Sequence, residues 1–130
     1  MKPDLLQLRE AIEASWDEQT AYRGVKEDGN PALGNCYPTS RVVQHYFPEL
    51  EIIKGEVWNG SKERGHFWNG IEVHGTWYYI DFSWQQFPAG SIVSSYEVLD
   101  QNNLDDSHDA IRRYNLLLAR VKKVIDKPKG

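Results

Sequence analysis

Along the first sixteen residues the apolar positions keep a helical period. Leu5, Leu8, Ile12 and Trp16 recur at spacings of three and four, which predicts a helix over 4–16. From Asp17 to Leu33 the pattern lapses into polar residues broken by Gly24, Gly29 and Pro31, and a long loop is expected. Loops of that length within compact domains are usually functional or partly disordered. A second helix is expected to begin at Cys36. Asn35 is a good N-cap, Pro38 falls in the first turn where its missing N–H costs nothing, and Pro48 stops the helix. Val43, Tyr46 and Phe47 continue a stripe on the Cys36 side. The period then shortens to two. Strands are predicted over 51–58, 65–73 and 76–83, the last two forming a hairpin about His74-Gly75. The polar segment NGSKERG, residues 59–65, links the first strand to the second. Ser94 or Ser95 is expected to cap a short helix through Leu99, and QNNLDD to form a loop. Asp106 or Ser107 is expected to cap a last helix reaching about Ile125, with Ile111, Tyr114, Leu118, Val121 and Ile125 as its apolar stripe.

Composition narrows the function classes. The chain has 130 residues, which suits one domain over 1–130. Its apolar fraction of 40%, with 12% aromatic, argues against wholesale disorder. A net charge of -4 disfavours nucleic acid as a partner, since that footprint needs a basic face. The cations Arg120, Lys122, Lys123, Lys127 and Lys129 read as a solvated tail that complements a helix dipole. A single cysteine excludes an internal disulfide framework and CxxC metal sites. The charged N-terminal stretch does not read as a signal peptide, and no window nears the roughly 20 apolar residues of a membrane span. A cytoplasmic, reducing setting is therefore expected, with no cofactor and no membrane partner; the pattern does not specify an oligomeric state.

The chemistry-bearing residues converge through the hairpin. A two-residue turn at His74-Gly75 pairs Val73 with Thr76, and the same register sets His66 opposite Ser83 and Trp68 opposite Asp81. His66 and Asp81 then become diagonal neighbours on one face, roughly 7–8 Å apart along the backbone and within side-chain reach. The other face carries Phe67, Ile71, Val73, Tyr78, Ile80 and Phe82 and is expected to be core. Cys36, at a helix N-terminus, would sit where aligned N–H groups favour a thiolate. With Asp81 steadying His66, the trio suits acyl transfer. Candidate oxyanion donors are the Cys36 N–H and an amide side chain, with Asn30, Asn35, Gln85 and Gln86 available. Singly, the plain alternatives are a small buried Cys, a structural His and a turn-anchoring Asp. His45, His74 and His108 read as surface residues, and no HxxxH or CxxC spacing supports a metal site.

The stretches GNCYPTSRVVQHYF and GHFWNGIEVHGTWYYIDFSWQQFP resemble YunG-like proteins of the papain-like, transglutaminase-like superfamily. The likeness runs from SWDEQT at 15–20 through the last helix. The matching positions are Gly34 and Cys36, then His66, Trp68 and Asn69, then Asp81, Ser83, Gln86 and Phe87. The resemblance implies a papain-like α+β fold. Its Cys-bearing helix would pack on a small antiparallel sheet, flanked by N- and C-terminal helices, with a Cys36–His66–Asp81 triad. Asn30 stands six positions before the cysteine, where papain-like enzymes carry an oxyanion glutamine one methylene longer. Asn35 stands where the group is expected to have glutamine.

Two functions follow as expectations. One is a cysteine-dependent amide hydrolase or acyltransferase (a peptidase, deamidase or transglutaminase-like enzyme) acting on a peptide or protein amide, with Trp68 and Trp84 lining the substrate cleft. The other is a catalytically silent papain-fold module that binds a peptide or protein on Trp58, Trp68, Trp77 and Trp84.

Overall fold

The computed structural model describes residues 2–100, 104 and 106–127. Lys129 and most of the expected 101–106 loop lie outside that range. The described chain is α+β, with three α-helices and one four-stranded antiparallel sheet. Helix α1 spans Leu5–Glu13 and starts in a capping box: Asp4 accepts from the Gln7 N–H, and the Gln7 side chain accepts from the Asp4 N–H. It ends three residues earlier than its apolar period predicts. Trp16 remains core, donating its indole N–H to Thr39 Oγ1 at 2.9 Å.

Helix α2, Cys36–Tyr46, is the central element, packed against both the sheet and the C-terminal helix. Its buried polar side chains each have a fixed partner: Thr39 Oγ1 accepts from Trp16, Ser40 Oγ donates to Tyr37 O at 2.8 Å, and Gln44 Nε2 donates to Leu50 O. The Ser40 carbonyl in turn accepts from Asn69 Nδ2 at 3.0 Å. Strands β1 (Glu51–Trp58) and β2 (Glu63–Val73) pair along their length. Strand β3 (Thr76–Ile80) pairs with β2 in the register read from the sequence, Val73 to Thr76, across a turn whose His74 and Gly75 both take positive φ. The strand stops at Ile80, short of the expected 83, because the chain bends at Asp81 and enters a 3₁₀ turn, Trp84–Gln86. The hairpin face expected as core divides. Phe67, Ile71, Ile80 and Phe82 pack on the hydrophobic clusters, whereas Val73 and Tyr78, near the turn, are exposed.

The helix expected at 94–99 is a strand. β4 (Ile92–Val98) adds to the far edge of β1, giving the order β3-β2-β1-β4 with a register shift at Glu56/Val57. Its β-branched run favours an edge where the backbone pairs with β1. Ser94 Oγ bonds Glu63 Oε2 at 2.6 Å rather than capping a helix. Helix α3, His108–Ile125, is capped by Ser107 as expected. Its buried residues are Ala110, Arg113, Leu117 and Val121; of the predicted stripe Val121 is fully buried and Tyr114, Leu118 and Ile125 pack partly buried on the core, whereas Ile111 is exposed. The charge on Arg113 keeps that residue out of the predicted stripe. Arg120 is no part of a solvated tail: it pairs with Asp17 at 2.9 Å and donates to Ser15 O and Gln19 Oε1. Burial opposes ionisation of Asp17, but Arg120 and the Gln19 and Thr20 N–H groups hold its carboxyl below the usual range.

Candidate active site

Cys36 is the first residue of α2 and lies half-buried on the wall of an open cleft of about 1330 Å³. The loop before it is a folded wall. Thr20, Ala21 and Ala32 are buried, and the Tyr22 N–H donates to Gly34 O at 2.9 Å. Gly34 has φ +77, and a Cβ there would fall 2.5 Å from the Val25 side chain, so both backbone and space require glycine before Cys36. Tyr22, Val25, Glu27 and Asn30 form one side of the cleft. Arg64, Gly65 and Phe67 of β2, with residues 85–88, form the second, and the start of α3 forms the third.

The hairpin joins His66 and Asp81 as its register predicts. His66 Nε2–H donates to Asp81 Oδ2 at 2.6 Å. Ser83, buried, donates to the other carboxylate oxygen at 3.3 Å and so holds the acid in place. The ring is 0% exposed. Trp68 stacks on it at 5.5 Å, and Phe87 and Trp84 meet it edge-on at 4.8 and 6.0 Å. Glycine makes room for that stack. Gly55 is the β1 partner of His66, and a Cβ there would fall 2.5 Å from the Trp68 indole and 2.6 Å from Ser95 O.

The second ring nitrogen, Nδ1, is buried and has no hydrogen-bond partner among the described residues. No hydrogen bond closes to the thiol, yet Cys36 is near enough to act on the ring. Burial pushes the imidazole pKa down; the hydrogen bond to Asp81 and the interaction with Cys36 more than offset it, lifting it to about 9. His66 and Asp81 are thus joined through one ring nitrogen, and Cys36 lies on the cleft wall with its influence reaching the ring.

The supporting amides sit differently from expectation. Asn35 is 1% exposed, does not cap α2, and spends its side chain on the preceding loop. Its Oδ1 accepts from Thr20 Oγ1 at 2.6 Å, and its Nδ2 donates to Pro31 O and Leu33 O. Gln86 Nε2 donates to Ser83 O at 3.0 Å, and Gln85 Nε2 to Phe82 O. Asn30 lies on the cleft wall, but its Nδ2 donates to Gln86 O at 3.1 Å, leaving Oδ1 buried without a partner. The uncapped first turn of α2, beginning with the Cys36 N–H, is thus the remaining donor set. Trp68 and Trp84 are not on the cleft wall; they enclose His66 from behind. Reading the sequence missed Phe87 as part of that enclosure, and missed Arg64 and Arg113 on the wall. In the sequence Phe87 stands out only as a position of the family resemblance, without a role at the ring.

His45, His74 and His108 are exposed, as expected. Among the described residues no cluster of His, Cys, Asp and Glu is arranged to hold a metal ion, and no helix is long and apolar enough to cross a membrane. No curated protein matches the chain, and no solved structure does. Residues 4–126 match the family model described as YunG protein, and on that match, which takes in all three helices and the whole sheet, the chain belongs to the YunG family.

Proposed function

We propose that the chain is a cysteine-dependent amide hydrolase or acyltransferase of papain-like type, with Cys36 as nucleophile, His66 as acid and base, and Asp81 as the group that orients and charges the ring. One observation carries this reading: a buried imidazole holds a carboxylate on one nitrogen while its other nitrogen stays unpaired, in a fold whose one cysteine opens a helix on the cleft wall. The step that follows is ordinary acyl transfer. The Cys36 thiolate attacks an amide carbonyl, forming a C–S bond, and the first N–H of α2 stabilises the oxyanion. The His66 imidazolium passes its proton to the leaving nitrogen as the C–N bond breaks. Water, or a second amine, then attacks the thioester carbonyl and gives a proton to His66, and the C–S bond breaks, releasing the acid or the new amide and restoring the Cys36 thiolate beside the His66 imidazolium.

The test is alkylation of native protein by iodoacetamide at pH 6.5, where an ordinary thiol near 8.5 reacts slowly. Cys36 is expected to react at least about tenfold faster than in the His66→Gln variant, an imidazolium–thiolate pair supplying the difference. Equal rates in the two proteins count against a nucleophile. The alternative, a silent binding module, draws on two observations: His66 is wholly buried, and the amides of Asn30, Asn35 and Gln86 are already engaged. Under that reading Cys36→Ala leaves peptide binding intact and the wild type never forms a thioester with an activated acyl donor.

A further inference from the structure

We propose that the cleft takes its substrate by a carboxylate, bound at Arg113. The proposal rests on the amide-acyl-transfer reading for its substrate class and on separate residues for its evidence. Arg113 occupies a position on the buried face of α3 where an apolar residue would be expected, and it is 4% exposed. Its Nε donates to Asp109 Oδ2 at 2.8 Å, and its guanidinium lies 5.6 Å from the Tyr22 ring centroid. Nη1 is buried and has no partner among the described residues, although Arg113 lines the cleft. A guanidinium N–H kept from water and left unpaired costs free energy unless something completes it.

The surroundings favour an anion. Arg23 and Arg64 share the cleft, and no ion pair reaches either among the described residues. Of the two wall carboxylates among the described residues, Asp106 is neutralised by a two-point contact with Arg41, at 3.2 and 3.1 Å, and accepts from the Tyr37 hydroxyl. Glu27 is the other. In a chain of net charge -4, three arginines thus share the cleft wall with Cys36, two of them without an ion pair among the described residues. One free guanidinium nitrogen suits a monoanion, and Glu27 across the cleft disfavours a phosphate dianion. The fitting ligand is a peptide that offers an acidic side chain or its own terminal carboxylate.

The test uses the Cys36→Ala protein, which cannot turn over, and three probes in a calorimeter. They are acetyl-Ala-Glu-Ala-amide, acetyl-Ala-Gln-Ala-amide, and acetyl-Ala-Gln-Ala with a free carboxylate. At least one acidic probe is expected to bind about tenfold or more tighter than the neutral amide, and which one does so identifies the carboxylate's source. Arg113→Met should reduce that preference to about twofold without weakening the neutral probe. Because removing a buried arginine risks unfolding the protein, the substitution Arg64→Gln at an exposed position serves beside it and should reduce the preference several-fold. Equal affinities for all three probes, including no measurable binding, overturn the proposal, as does a preference that survives in every folded variant. The alkylation test addresses Cys36 reactivity separately, so a silent thiol with an acid-selective cleft, or the reverse, identifies which reading failed.

Discussion

At the scale of single residues, His66 is fixed from several sides, by Asp81 on one nitrogen and by Trp68, Trp84 and Phe87 around the ring. It is buried, yet its pKa rises to about 9, because the carboxylate and thiol beside it outweigh the loss of water. A group raised in the folded state stabilises that state fully below its unfolded value, near 6.5, and the contribution is lost as pH climbs through about 9. The amount at stake is about 3 kcal/mol at most. Urea midpoints are therefore expected to fall between pH 6 and pH 9.5 in the wild type and to fall much less in His66→Gln; parallel curves contradict the assignment. The His66–Asp81 contact was legible. A histidine and an aspartate two register positions apart on one hairpin face, and a two-residue turn, sufficed, because local turn geometry fixes strand register. The amides were not legible. Asn35 is a good cap by type, but Thr20 and the carbonyls of residues 31 and 33 compete for its side chain and win.

At the scale of elements, the sheet face beneath His66 depends on a missing side chain. Gly55 lets the Trp68 indole lie against β1, and Trp68 in turn stacks on the imidazole. Gly55→Ala must displace either the indole or the β4 backbone, and a loss of about 1–3 kcal/mol is expected from such overpacking. A lowered His66 pKa, read by NMR of the ring, should accompany it. Gly65→Ala, where an added Cβ meets nothing within 4 Å, is the control and should stay within about 0.5 kcal/mol of wild type. Element types were readable where period and punctuation agreed, as in α2 and the hairpin. They were not readable at 92–98, where two serines resembled a cap. The deciding fact there, an open edge on β1, exists only after the sheet has formed.

At the scale of the whole molecule, the cleft joins distant parts of the chain. Arg120 reaches Ser15 and Gln19 across 105 and 101 positions of sequence, and so ties the loop wall to the last helix. The Arg120–Asp17 pair is partly exposed, so its own worth is about 1 kcal/mol or less. Arg120→Ala is expected to lower Tm by a few degrees while markedly speeding protease cleavage between Tyr22 and Leu33. Unchanged cleavage would mean that the loop holds itself. No reading of local pattern finds this tie, because its partners are far apart and all polar. The lone sulfur on the cleft wall has its own consequence for the assembled protein. With a single thiol per chain, the one disulfide that two copies can share joins cleft to cleft, and such an oxidised pair plugs both mouths in the same event. Aged or air-exposed preparations would then lose function in step with the appearance of a reducible dimer, and a mild reductant would return both together.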